Sequence, residues 1–207
     1  MGRKKRILYQ SDYSLAKTGF GRCSKALLTF LYKTGKYEIC HYSCGFRYSE
    51  SQLQRTPWLT RGTLPDDETE FRRVAGDPTL SKLASYGATE LDRVIKEFKP
   101  DIYIAAQDIW GIDFALQKPW FNEVRENVAL WTTLASLPIL PTAVSAAKKA
   151  KNFWIWSDFA TKAMHEMGES HVKTLHGPVD TEYFGRLPDK VRLEVRAKQK
   201  IDRNKFI

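Results

Sequence analysis

Residues 6–42 read RILYQSDYSLAKTGFGRCSKALLTFLYKTGKYEICHY, and their order of apolar periods decides the fold. Residues 6–10 form a short apolar run that reads as a strand, and residues 11–20 form a polar loop. In residues 21–33 the apolar set Cys23, Ala26, Leu27, Phe30 and Leu31 follows helical i, i+3, i+4 spacing. Gly35 suits the left-handed stop of that helix, and residues 37–42 supply a second strand. Strand, helix, strand in this order implies a parallel pair joined by a right-handed crossover.

The alternation resumes beyond residue 100. Strands are expected at residues 101–106, 128–133, 153–156 and 171–175, and helices around 113–117, from Pro141 to 149, and from Ser157 as cap to Gly168 as stop. Asp77 before Pro78 is a cap followed by a first-turn proline, so a helix starts there, with Gly87 separating it from a second helix that ends near Phe98. The predicted fold class is α/β: a Rossmann-like parallel sheet with helices on both faces. Residues 43–76 break the rhythm with Gly45, Pro57, Gly62, Pro65, Gly76 and the acidic set Asp66, Asp67, Glu68 and Glu70. They are read as an irregular excursion with a short hairpin, either a plain insertion or a lid or acceptor loop.

The chain has 207 residues, enough for one sizeable core. Its net charge of +9 invites an anionic partner. Most of that charge is terminal: Arg3, Lys4, Lys5 and Arg6 at one end, and seven basic against three acidic residues in 189–207 at the other. The stretch between is close to neutral, so solvated ends are the first reading and an anionic membrane surface the second. No basic stripe interleaved with aromatics is present, which makes nucleic acid an unlikely partner. Cys23, Cys40 and Cys44 are odd in number and lack CxxC spacing, against a disulfide framework or a zinc knuckle. The apolar run after the basic start is too short for a signal peptide, and no stretch of about 20 apolar residues exists. A cytoplasmic protein, peripheral at a membrane surface if its basic ends are used, is expected.

Two turns carry candidate chemistry. Lys17-Thr18-Gly19-Phe20-Gly21-Arg22 sits between the first strand and the first helix. Glycines there permit close backbone approach, and the helix start offers unpaired N–H groups to a diphosphate. The spacing is neither G-x-G-x-x-G nor a P-loop. Leu175-His176-Gly177-Pro178-Val179-Asp180-Thr181-Glu182-Tyr183-Phe184 follows the last strand, where open α/β sheets place ligands. By chemistry alone this histidine is a turn residue.

The pattern His-Gly-x-Val-Asp-Thr-x-x-Phe resembles the hinge signature of the large retaining GT-B glycosyltransferase family (family 4-like) that includes bacterial glycogen, sucrose-phosphate and mannosyl-lipid synthases. Thr18-Gly19-Phe20-Gly21-Arg22 is similar to the family's glycine-rich first loop, and Lys33-Thr34-Gly35-Lys36-Tyr37-Glu38-Ile39 to its turn into the second strand. Lys99-Pro100-Asp101-Ile102 resembles the opening of its central strand, Trp156-Ser157-Asp158-Phe159-Ala160 a helix start, and residues 203–207 the approach to its donor domain. The likeness spans residues 6–207.

That resemblance implies an acceptor-side domain over residues 1–188, and a basic helix and linker over 189–207, cut before a donor-binding domain. It implies an enzyme that moves a sugar from a nucleotide-sugar to an unidentified acceptor, with the nucleotide-sugar as co-substrate, no resident cofactor and no metal. Gly19, Phe20 and Gly21 would face the donor diphosphate, and valine at either glycine is expected to block turnover with the fold intact. Asp12, Gln107 and Thr133 would line the acceptor side, with Asp108 as the catalytic carboxylate. His176, Gly177 and Asp180 would form the hinge, and the fragment alone would be inactive. Gln107-Asp108 stands where relatives commonly carry a histidine, Ala135 where some carry an acid, and Pro178 intervenes between Gly177 and Val179. Two other readings are a non-catalytic Rossmann-like ligand-binding module and a DNA-base glycosylating enzyme.

Overall fold

The structure, a computed structural model, describes residues 2–181, 184–202 and 205. Glu182 and Tyr183 of the histidine turn, and Arg203, Asn204, Phe206 and Ile207 of the expected donor-domain approach, lie outside the described residues. The strands are β1 (Lys5–Ser11), β2 (Tyr37–Arg47), β3 (Leu59–Leu64), β4 (Ile102–Ala106), β5 (Val128–Thr132), β6 (Asn152–Ile155) and β7 (Lys173–Thr174). They form one sheet in the order β3-β2-β1-β4-β5-β6-β7, and every pair is parallel. The chain is an α/β protein with a Rossmann-like sheet.

The helices are α1 (Gly19–Lys33), α2 (Glu68–Ala75), α3 (Pro78–Ser85), α4 (Leu91–Phe98), the single turn α5 (Phe121–Val124), α6 (Pro141–Lys149), α7 (Asp158–Glu166) and α8 (Asp189–Lys198). Alternate strand residues point to opposite faces. One face, with Leu8, Tyr103, Ala105, Leu130 and Phe153, packs on Leu91, Val94 and Phe98 of α4 and Ala143, Ala146 and Ala147 of α6. The other face, with Tyr9, Ile39, Ala106 and Trp131, packs on Leu27, Leu28 and Leu31 of α1. Burying a leucine such as Leu28, which is fully enclosed, stabilises the fold by about 1.5–3 kcal/mol. Helix stops follow the sequence signals: Gly35 and Gly168 have φ of 65° and 94°, and the Asp77 carboxylate accepts from the amides of Thr79 and Leu80 at the start of α3.

The excursion at residues 43–76 is corrected. It is neither irregular nor a hairpin: β2 runs on to Arg47, a 3₁₀ turn spans Ser51–Arg55, and β3 returns parallel to β2 as the sheet's edge strand. The period-2 signal of β3 is weak because Arg61 and Gly62 interrupt it. Gly62 is required where the β2–β3 register shifts, since a Cβ there would overlap the carbonyl oxygens of Phe46 and Arg47. The acidic set is occupied within the excursion. Asp66 accepts from the Ser49 amide at 2.9 Å, Asp67 caps α2, Glu68 pairs with Arg47 at 2.8 Å, and Glu70 pairs with Arg73.

Three smaller differences follow from local geometry. The stretch around 113–117 is a 3₁₀ helix, and the last strand is shortened to Lys173–Thr174. Ser157 occupies the cap position of α7, but its hydroxyl donates to the Leu134 carbonyl instead of capping. At the opposite end of the sheet two of the four amino-terminal charges are paired, Arg3 with Asp101 and Arg6 with Glu38. Among the described residues no helix is long and apolar enough to cross a membrane.

Gly62→Ala is expected to lower the unfolding free energy by about 1–3 kcal/mol, because backbone and not a flexible side chain must yield. Urea denaturation reads the change, with Gly45→Ala as the control for left-handed strain at an uncrowded site.

Candidate functional site at the carboxyl ends of the strands

Parallel pairing brings the residues that follow β1, β4, β5, β6 and β7 to one edge of the sheet. Asp12 follows β1, Gln107 and Asp108 follow β4, and Thr133 follows β5. These three loops are joined by side chains. Gln107 Nε2 donates to Asp12 Oδ1 at 2.5 Å, and Thr133 Oγ1 donates to Asp108 Oδ1 at 2.6 Å. Ser11 Oγ donates to the Ala106 carbonyl at 2.8 Å, which ties β1 to β4 just below them.

The glycine turn joins the same network through Thr18. Its hydroxyl donates to Asp12 Oδ2 at 2.5 Å and accepts from the Gly21 amide at 3.0 Å, capping α1. The amides of Gly19 and Phe20 have no hydrogen-bond partner among the described residues, so the start of α1 keeps two free donors. The two glycines differ. A Cβ at Gly19 meets nothing within 4 Å, whereas one at Gly21 would lie 2.6 Å from the Ala16 carbonyl oxygen and 2.8 Å from that of Tyr13. The missing side chain of Gly21 is used to close the loop on itself, which corrects the expectation that valine there would leave the fold intact.

Trp156, immediately after β6, links the two turns. Its indole meets Phe20 edge-on at 5.1 Å, and its carbonyl accepts from His176 Nδ1 at 2.8 Å, which fixes the proton on that nitrogen. A Cβ at Gly177 would come within 2.7 Å of the same indole. The exposed His176 ring has its Nε2 3.7 Å from Asp158 of α7. Between the turns lies a largely apolar groove of about 480 Å³, lined by Gly19, Arg22, Cys23, Lys25 and Ala26 on one side and by Pro178, Val179, Asp180 and Phe184 on the other.

The site residues read from sequence thus fall into two adjoining groups: Asp12, Gln107, Asp108 and Thr133 with the start of α1, and Gly19, His176, Gly177 and Asp180 around the groove. Thr18 and Trp156 enter the sequence reading only as members of quoted motifs, without a role of their own, and Tyr86 does not enter it. Thr18 has a legible signal, a threonine three residues before the amide it caps. Trp156 and Tyr86 have none, because each reaches the site by tertiary packing. Burial raises the Tyr86 phenol pKa, with Cys44, Asp12 and Asp108 adding to the effect. Among the described residues no three His, Cys, Asp or Glu side chains group as a metal site.

His41 of β2 lies opposite Tyr9, is fully buried, and stacks on Tyr13 at 6.3 Å. Burial lowers its pKa to about 4, against a weaker opposing effect from the backbone of Asp12 and Ser11.

No family model matches this chain, and no curated protein sequence does. Solved structures do match. UDP-N-acetylglucosamine 2-epimerase from Rickettsia bellii aligns at a TM-score of 0.50 and 11% identity, over 96% of this chain and 51% of that one. UDP-GlcNAc 2-epimerase from Methanocaldococcus jannaschii aligns at 0.43 and 11%, over 82% and 44%. The first likeness bears on the fold alone. The chain spans about half the length of these structures.

Two outcomes are expected. Gly21→Val lowers the thermal midpoint by several degrees or prevents folding, while Gly19→Val leaves it unchanged; differential scanning calorimetry separates them. In an unfolded chain His41 titrates near its ordinary value of 6.5, and in the folded chain near 4. Its contribution to stability is therefore complete above pH 6.5 and is lost as pH falls toward 4, by about 3 kcal/mol in all. Urea titrations at pH 7 and pH 4.5 read this loss, which His41→Gln removes.

Proposed function

We propose that residues 1–188 are the acceptor-side domain of a GT-B glycosyltransferase that takes a sugar from a nucleotide-sugar, with retention at the anomeric carbon. Residues 189–207 would be the basic helix and linker toward a donor-binding domain. The supporting observation is the convergence of the glycine turn, the Asp12–Gln107 and Asp108–Thr133 pairs and the His176 turn on one sheet edge. Likeness of fold to sugar-nucleotide epimerases is compatible with a nucleotide-sugar enzyme.

In this reading the free amides of Gly19 and Phe20, at the positive end of α1, receive the donor diphosphate. Gly21 holds the loop that presents them. Asp108 has one carboxylate oxygen occupied by Thr133 and the other available to accept from the acceptor hydroxyl as its oxygen attacks the anomeric carbon. Retention requires the acceptor oxygen to attack on the face from which the diphosphate departs: the C–O bond to the diphosphate breaks as the new glycosidic bond forms, the acceptor proton passes to Asp108, and nucleoside diphosphate leaves. Asp12 and Gln107 position the acceptor. His176, Gly177 and Asp180 shape the hinge beside the groove. The nucleotide-sugar is a co-substrate, and the setting is cytoplasmic, with Lys4, Lys5 and the lysines of α8 available to an anionic membrane surface.

Joined to a donor-binding domain, the protein is expected to release nucleoside diphosphate from a nucleotide-sugar only when acceptor is added. Asp108→Asn lowers that turnover by about 10²–10⁴-fold with little change in donor binding. Wild-type turnover in the variant removes Asp108 from the mechanism. Interconversion of UDP-sugar epimers without acceptor would assign the chain to an epimerase instead.

A further inference from the structure

Beside Asp108 the edge of the sheet carries an aromatic wall that neither turn explains. β4 leads through Gln107 and Asp108 into a 3₁₀ turn at Ile109–Gly111, closed by the Gly111 amide donating to the Asp108 carbonyl at 2.8 Å. Trp110 on this turn is 39% exposed, a large apolar surface left in water two residues from the carboxylate. It is nevertheless held in place. Tyr86, just after α3, meets its ring edge-on at 4.7 Å, and a Cβ at Gly111 would lie 2.9 Å from the Tyr86 ring. The Tyr86 carbonyl in turn accepts from Gln10 Nε2, two residues before Asp12. The wall is thereby fastened to both strands that carry the site carboxylates.

Two polar groups on this wall are uncommitted. The Tyr86 hydroxyl donates to nothing among the described residues, and its phenol pKa is raised, by burial first and then by Cys44, Asp12 and Asp108. Lys82 of α3 is exposed, and its Nζ sits 4.2 Å from the Trp110 ring centroid. Among the described residues Lys82 forms no ion pair, in contrast to Arg93 and Lys118 of the same region, which pair with carboxylates. A cation resting on an indole keeps its remaining donors for a ligand.

We propose that Tyr86, Trp110 and Lys82 form the outer wall of the acceptor site, and that the acceptor they select is a sugar carrying an anionic group. This rests on the reading of Asp108 as acceptor-side. The site is bipolar: Asp12 and Asp108 suit hydroxyls and repel an anion, while Lys82 on the Trp110 indole receives the anion, and Tyr86 holds the indole in place. Phosphate and carboxylate share this chemistry.

The 207-residue chain, titrated with glucose 6-phosphate, glucuronate and glucose by ligand-observed saturation-transfer NMR, tests it. At least one anionic sugar is expected to bind about tenfold more tightly than glucose, and which of the two does so identifies the anion. Lys82→Ala removes that preference, Lys82→Arg keeps it, and Trp110→Ala weakens the preferred sugar by about tenfold; circular dichroism confirms that each variant folds. No preference over glucose, or a preference that survives Lys82→Ala, overturns the proposal. So does inorganic phosphate binding as tightly as the sugar phosphate with no effect of Trp110→Ala. The preference is read without donor, so it stands or falls separately from sugar transfer.

Discussion

Parallel hydrogen bonding of β1 to β2 on one side and β4 on the other is the constraint from which the rest follows. A parallel ladder cannot be closed by a tight turn, so each strand must return over the sheet before the next begins. Every strand therefore delivers its carboxyl end to one edge and its amino end to the other. The chain's polar loop residues accumulate at the first edge: Asp12, Gln107, Asp108, Thr133 and His176 are each one or two residues beyond a strand. Side chains far apart in sequence, such as Asp12 and Gln107, meet because their strands are neighbours.

Close approach then makes the edge rigid. Gly21 lets the first loop fold onto its own carbonyls, Gly177 lets the histidine turn lie against Trp156, and Gly111 admits the Tyr86 ring. In each case a side chain would occupy space already filled, and a packed interior yields little to an added methyl group. Trp156 holds the glycine turn through Phe20 and the histidine turn through its own carbonyl. The groove between the turns keeps its shape because the two walls share this residue.

Charge is distributed by a different rule. The acidic set at 66–70 and the arginines around it neutralise each other at the β3 edge, and Arg3 and Arg6 are paired at the amino ends of the strands. Exposed pairs of this kind add little stability, but they remove charge that would otherwise be available to a partner. Lys82, exposed and without an ion pair among the described residues, instead rests on an indole, 4.2 Å from the Trp110 ring centroid.

The sequence by itself determined the alternation of strands and helices from β4 onward, the β1–α1–β2 unit, and the placement of both turns at strand ends, because periodicity, proline and glycine act locally. It determined the caps at Asp77 and Gly35 for the same reason. Only the tertiary structure decided that residues 43–76 contain an edge strand, since β3 is held by pairing with β2 and not by its own weak pattern. It alone decided that Gly21 serves the loop while Gly19 faces open space, that Trp156 lies against Phe20, and that Tyr86 and Lys82 meet the Trp110 ring. Those facts depend on which distant backbone lies within a few ångströms, and no local spacing encodes that distance.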